Sequence, residues 1–335
     1  MNFRFHLVSL IAVFLALGVG IIVGSTVIDQ ATVQGLERNV KSLTGQRSDA
    51  RQERDEARQS LSRWQKFDAE LPAEVLAGRL TDVPVLIVAV EGVDPKLTER
   101  LHQWLATATA DDLGTLTLTA KLSLTADDDR RAVASMLDIG DGRRDVVQRT
   151  LLASLASALN PPVQAGATTT APTTVAPPPT PAAPATTVEP PPAAPTGAEL
   201  LGRLRDAGFV TYDAPAGGNV ELGAIPKAGI RVVVVSAADA NLSNAAVTTP
   251  LTALLVDQPG VSVVAADATP VGTDDPAFAA MVRADGELRR QVSTVDDVSE
   301  GYGQIALVLA LEDLAGGAVG HYGVAADQLL PPPNR

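Results

Sequence analysis

Residues 83–90 read VPVLIVAV, between Asp82 and Glu91. A short, unbroken apolar run rich in β-branched side chains is the pattern of a strand buried on both faces. Pro95 then opens a helical stretch to about Thr109, with Leu97, Leu101, Trp104 and Leu105 on one face. Leu113–Leu124, LGTLTLTAKLSL, alternates apolar and polar residues and reads as a second strand. Strand, helix, strand is a βαβ unit, so the sequence predicts an α/β body.

The same rhythm continues on either side of one interruption. Asp127–Asp138 and Arg143–Asn160 read as helices, the second with a stripe of Val147, Leu151, Leu155 and Leu159. Residues 161–196 then hold 12 of the 24 prolines, nine Thr, nine Ala and one charge, Glu189. Such a segment cannot bury a core, so a disordered, polyproline-like linker is expected. Beyond it, Gly197–Gly208 reads as a helix, Phe209–Tyr212 as a short strand and Gly229–Ser236 (GIRVVVVS) as a buried strand. Leu251–Asp257 reads as helix, Val261–Ala266 (VSVVAA) as strand and Pro276–Ala284 as helix. Gln304–Leu311 (QIALVLAL) is expected to be a last strand running into a short helix that ends near Gly316. Uniformly apolar strands suit a sheet covered on both faces, so the expected body is a Rossmann-like, mostly parallel doubly wound sheet. It is divided into residues 72–160 and 197–335.

The N-terminal part is of another kind. Leu7–Ile28 is 22 residues without a charge, reaching roughly 33 Å as a helix, enough to cross a bilayer core. Residues 1–28 are therefore expected to be a short N-terminus and an uncleaved transmembrane anchor. Arg4 on the N-terminal side places that end in the cytoplasm and the bulk of the chain outside it. Gly20 and Gly24, four residues apart, are candidates for close helix packing in the membrane. Residues 29–70 carry 16 charges, eight of each sign. A heptad frame over 29–71 puts Val33, Leu36, Val40, Leu43, Leu61 and Trp64 in its core, with Arg47 and Arg54 weakening its middle. That predicts a coiled-coil stalk and a homo-oligomer through it.

Composition narrows the chemistry. The net charge is −13, which disfavours binding to a phosphate backbone, so no nucleic-acid partner is expected. There is no Cys, which removes disulfides, thiol nucleophiles and thiolate metal sites. The sequence lacks a P-loop, an HExxH and a G-x-S-x-G elbow, so no enzyme activity and no cofactor are expected. His6 adjoins the anchor, and His102 reads as a surface residue of an amphipathic helix. A Ser–His–Asp triad would therefore have to use His321. Asp127 and Asp274 precede helix-like stretches and read as caps. Asp296 and Asp297 read as a turn; with His321 they are the candidate metal-binding residues.

The stretch H-x-V-S-L-x-A-V-F-L-A-L, His6 to Leu17, resembles the start of the mycobacterial copper transport protein B (MctB) family. The segment Ser293-Thr294-Val295-Asp296-Asp297, the run Ile305–Leu311 and Gly320-His321-Tyr322-Gly323 are similar to that family's C-terminal part. The resemblance spans nearly the whole chain apart from 161–196. It implies a copper transport or homeostasis protein of the actinobacterial cell envelope, placed in the outer membrane. The residues themselves offer copper little. Copper(I) prefers thiolate and thioether donors and copper(II) imidazole, and beyond the initiator there are only Met136, Met281 and the three histidines. The alternative is a membrane-anchored coiled-coil scaffold that binds or regulates a cell-envelope or cell-division partner without transporting copper itself.

Overall fold

The computed structural model describes residues 4–24, single helical positions between 41 and 58, and, from 75 to 332, all but 141, 161–195, 216–219, 226, 270–276 and 327. The chain forms two units, Met1–Phe67 and Asp68–Arg335. In the first, α1 runs from Arg4 to Gly24 and is, among the described residues, the one helix long and apolar enough to cross a membrane. Its side chains point outward, with Leu7, Phe14 and Ile22 all more than half exposed. Nothing lies within 4 Å of a Cβ built on Gly20 or Gly24. Residues 25–28 of the expected span, and the heptad core Val33, Leu36, Val40, Leu43, Leu61 and Trp64, lie outside the described residues. So does the linker up to residue 195.

The second unit is built on β1, Pro84–Val90, in which every residue but the first is buried. It pairs in parallel with β2, Asp111–Leu118, on one side and β4, Arg231–Ser236, on the other. Beyond β4 come β5, Ser262–Asp267, β6, Ser293–Val295, and β7, His321–Tyr322, all parallel. Beyond β2 lies β3, Val210–Asp213, which pairs antiparallel with it. The seven-stranded order is β3-β2-β1-β4-β5-β6-β7. All six residues of β4 are buried, as the run of valines requires of a strand with both faces covered.

Helices cover the sheet. They are α2 (Pro95–Thr107), α3 (Asp127–Met136), α4 (Arg144–Leu159), α5 (Gly197–Asp206), α6 (Thr249–Val256), α7 (Phe278–Ala284), α8 (Leu288–Gln291) and α9 (Gly301–Ala315). α2 buries Leu97, Leu101 and Leu105, the stripe its periodicity predicts. Asp94 caps it by accepting from the Lys96 amide at 3.0 Å. α4 and α5, which flank residues 161–195 in sequence, pack on each other, and a Cβ on Gly197 would meet the Ala158 carbonyl at 2.8 Å. A capping box, Thr196 with Glu199, starts α5.

Three readings change. Gln304–Leu311 is not a strand but the middle of α9. A continuous apolar run carries no period, so a helix buried all round imitates a buried strand. β2 stops at Leu118, and Ala120–Ser123 forms a 3-10 turn that buries Leu122 within the run read as strand. Asp127 lies in the first turn of α3 and does not cap it; the N-cap is Ala126, without a side-chain bond. The first-turn Asp127, Asp128 and Asp129 complement the helix dipole instead.

Candidate functional site

Two polar constellations stand out in the α/β body. The first lies where β5 and β6 end, at the carboxyl edge of the parallel sheet, where open α/β sheets place ligands. β5 delivers Asp267, and the residues directly after β6 are Asp296 and Asp297, at 1%, 4% and 4% exposure. Asp267 is fully engaged: it accepts from the Thr269 amide at 2.7 Å and the Ala279 amide at 3.0 Å. Burial still pushes its carboxyl above the ordinary range, with the Asp296 charge adding to the rise.

Asp296 meets the guanidinium of Arg283, on α7, at 2.8 Å, and the same Arg283 nitrogen donates to the Thr294 hydroxyl at 3.2 Å. Asp297 adopts a left-handed backbone, φ 53°, and its side chain is hydrogen-bonded to Tyr302 at the start of α9. The second oxygens of Asp296 and Asp297 are buried without a hydrogen-bond partner. Burial first, and then the charges of Asp296, Asp267 and Glu300, push the Asp297 carboxyl up to about 6, against the lowering bond from Tyr302. Burial likewise raises the Tyr302 phenol.

This sets a pH dependence. Asp297 holds its proton in the fold where the unfolded chain, with a carboxyl near 3.8, has lost it. The stability from this difference is complete below the unfolded value and disappears as pH rises through about 6. Asp297→Asn, which suits the left-handed backbone equally well, removes the burden. We expect its stability relative to the wild type to climb from near zero at about pH 4 to on the order of 1–3 kcal/mol at about pH 7. Chemical denaturation at a series of pH values checks this, and a pH-independent difference would contradict it.

His321, the third candidate metal residue, sits beside this group but is turned to other work. β7 pairs His321 with Thr294 of β6. The His321 Nδ1 lies 3.0 Å from the Thr294 hydroxyl, and Nε2 lies 3.1 Å from the Arg289 carbonyl. A carbonyl only accepts, so Nε2 carries a proton and does not present a lone pair to a metal. The fold thus brings His321, Asp296 and Asp297 into one neighbourhood, linked through Thr294 and Arg283. Among the described residues no group of three or more His, Asp or Glu is arranged to hold a metal ion.

The second constellation lies across the sheet, in a cleft of about 680 Å³ between α2 and the β2–β3 edge. Its wall includes His102, Asp112 and Thr115. His102 is not the surface residue its helix position suggests. Its side chain is 19% exposed, with Nδ1 at 2.6 Å from an Asp112 carboxylate oxygen and Nε2 at 2.8 Å from the Thr115 hydroxyl. The other Asp112 oxygen accepts from the Gly114 amide at 2.9 Å. Sequence reading missed this grouping; its one signal was Gly114, an isolated glycine in an alternating strand, which marks a bulge.

As donors for copper, these sites offer little. Met136 and Met281 lie on α3 and α7, His102 on α2 and His321 on β7, and both histidines have both ring nitrogens in hydrogen bonds. Copper(I) would need several soft donors converging on one point.

The chain is similar throughout its length to known proteins. Residues 1–332 match the family model described as copper transport outer membrane protein, MctB. It is 29% identical over 333 residues to the copper transporter MctB of Mycobacterium tuberculosis (strain ATCC 25618 / H37Rv), covering 96% of each chain. To the protein of the same name from Mycobacterium leprae (strain TN) it is 26% identical over 324 residues, again covering 96% of each. A match that runs from the apolar N-terminal helix through the last strand places the chain in the MctB family of copper transport outer membrane proteins.

Proposed function

We propose that this protein serves copper homeostasis in the cell envelope as a membrane-tethered recognition body, and that it does not itself carry copper through its α/β body. The family and its named relatives support the copper connection. The observation that carries the indirect role is the donor inventory of the α/β body: no Cys, two methionines on separate helices, and two histidines, His102 and His321, both engaged in hydrogen bonds. The sheet adds to it. Its central strands β1, β4 and β5 are buried on both faces, whereas a transmembrane barrel turns one face of every strand to lipid. A conducting path through α1 alone is not possible, since one helix encloses no pore.

In this reading α1 is a single-pass anchor with a cytoplasmic N-terminus. The stretch 29–71 is a coiled-coil stalk that pairs copies of the chain, and the Rossmann-like body is exported to meet a cell-envelope partner. The test is complementation in a host lacking the chain. A Met136→Leu, Met281→Leu, His321→Gln triple variant should restore copper tolerance as fully as the wild type. Loss of tolerance in the triple variant, present at wild-type level, would overturn the indirect role.

A further inference from the structure

The cleft beside α2 holds a hydroxyl, an imidazole and a carboxylate in the order of a nucleophile, a base and its orienting group. Asp112 accepts from His102 Nδ1–H at 2.6 Å, which leaves Nε2 of the neutral ring unprotonated and facing the Thr115 hydroxyl at 2.8 Å. All three side chains line one cavity of about 680 Å³.

The backbone is bent to make this possible. Asp112 and Thr115 are three residues apart, and on a regular strand they would face opposite sides of the sheet. Here the register slips: Val85 pairs with Asp112 but Ile87 pairs with Thr115, so β2 spends one extra residue against β1. That restores both side chains to the face that α2 covers, where His102 bridges them. Gly114 carries the bulge at φ 85°, and a Cβ there would strike the Asp213 carbonyl. Bulges recur where a side chain must be re-aimed.

We propose that this cleft is an acyl-transfer site in which Thr115 is the nucleophile, His102 the general base and Asp112 the positioning residue. The step balances with water as the second substrate. Thr115 passes its hydroxyl proton to His102 Nε2 while its oxygen bonds to the carbonyl carbon of an ester. The bond to the leaving alcohol breaks, and His102 returns the proton to that alcohol. Water then gives a proton to His102 and adds to the acyl carbon, the bond to Thr115 breaks, and Thr115 recovers its proton. One ester and one water become one acid and one alcohol. The wall also carries Glu91, Glu99 and Asp213, Asp213 lying opposite Thr115 in the β2–β3 register. These carboxylates repel anions, and Val90, Val93 and Ala106 supply apolar surface. The substrate class is therefore a neutral or cationic ester.

The test uses the full-length protein in detergent micelles with two probes, p-nitrophenyl acetate and a neutral fluorophosphonate. The expected result is ester turnover, with a fluorophosphonate adduct that peptide mapping locates on Thr115. Thr115→Ser retains both, the near-isosteric Thr115→Val abolishes both, and His102→Gln lowers both by about 100-fold or more. Far-UV circular dichroism and the thermal midpoint establish that each variant is folded. Folded wild-type protein with no adduct on Thr115, or turnover that survives Thr115→Val, would overturn the proposal and leave the three residues as a structural hydrogen-bond network.

Discussion

Arg283→Met should lower the stability of the α/β body by about 3–5 kcal/mol, the range for removing one partner of a buried ion pair. Arg283 is the one cation that meets Asp296 in an ion pair among the described residues, and the two side chains are 14% and 6% exposed. Without it, neither Asp296 oxygen retains a hydrogen-bond partner, because the second is already without one. Asp267 and Asp297 stand close enough to raise the cost further. The Thr294 hydroxyl loses a donor at the same time, loosening the link to His321. For a body of this size the loss corresponds to a fall in thermal midpoint of roughly 10 °C. Adding Asp296→Asn to Arg283→Met should recover most of it, since what is costly is the unpaired buried charge and not the missing contact. A double variant as unstable as the single one would contradict this explanation.

Gly303→Ala should be of comparable size for a different reason. A Cβ on Gly303 would run into the Asp297 carbonyl oxygen and stand 2.7 Å from the Asp297 carbonyl carbon and 2.9 Å from the Asp296 oxygen. These are backbone atoms and cannot swing aside. Either α9 shifts along its axis or the Asp296–Asp297 turn moves, and both break the seat of Gln304, which donates to the Val298 carbonyl at 3.0 Å. Overpacking of this kind typically costs 1–3 kcal/mol, and a backbone clash puts this case at about 3 kcal/mol or more. Gly202→Ala is the matched control. It lies within α5 with nothing inside 4 Å of its Cβ, so the same change should stabilise by roughly 0.5–1 kcal/mol. Thermal unfolding of the two variants side by side separates steric conflict from the general effect of replacing glycine. Equal midpoints would refute the tight approach of α9 to the strand-end turn.

Where the sequence spoke clearly, one strong physical signal dominated. Val85–Val90, Val232–Val235 and Val263–Ala266 are buried on both faces, and β-branched runs of that length have few other uses. The stripe Leu97, Leu101 and Leu105 placed α2 in the same way. The C-terminal third was harder. QIALVLAL is helical because it continues a 15-residue element from Gly301, and its apolar residues supply no period to reveal that. β6 and β7, at three and two residues, are too short to carry a pattern. Asp296 and Asp297 were legible as a turn, but their burial against Asp267 depends on strands far apart in sequence. The grouping of His102, Asp112 and Thr115 was hidden for a subtler reason. Strand parity sends Asp112 and Thr115 to opposite faces, and only the bulge at Gly114 reverses it.

The proposed indirect role requires that the protein hold no tight copper(I) site. Competition titration of the full-length protein in detergent, with copper(I) against a chromophoric chelator, tests this most directly. With no thiolate and no convergent thioethers, the protein should bind copper(I) no more tightly than about micromolar. A stoichiometric site of about nanomolar affinity would contradict it.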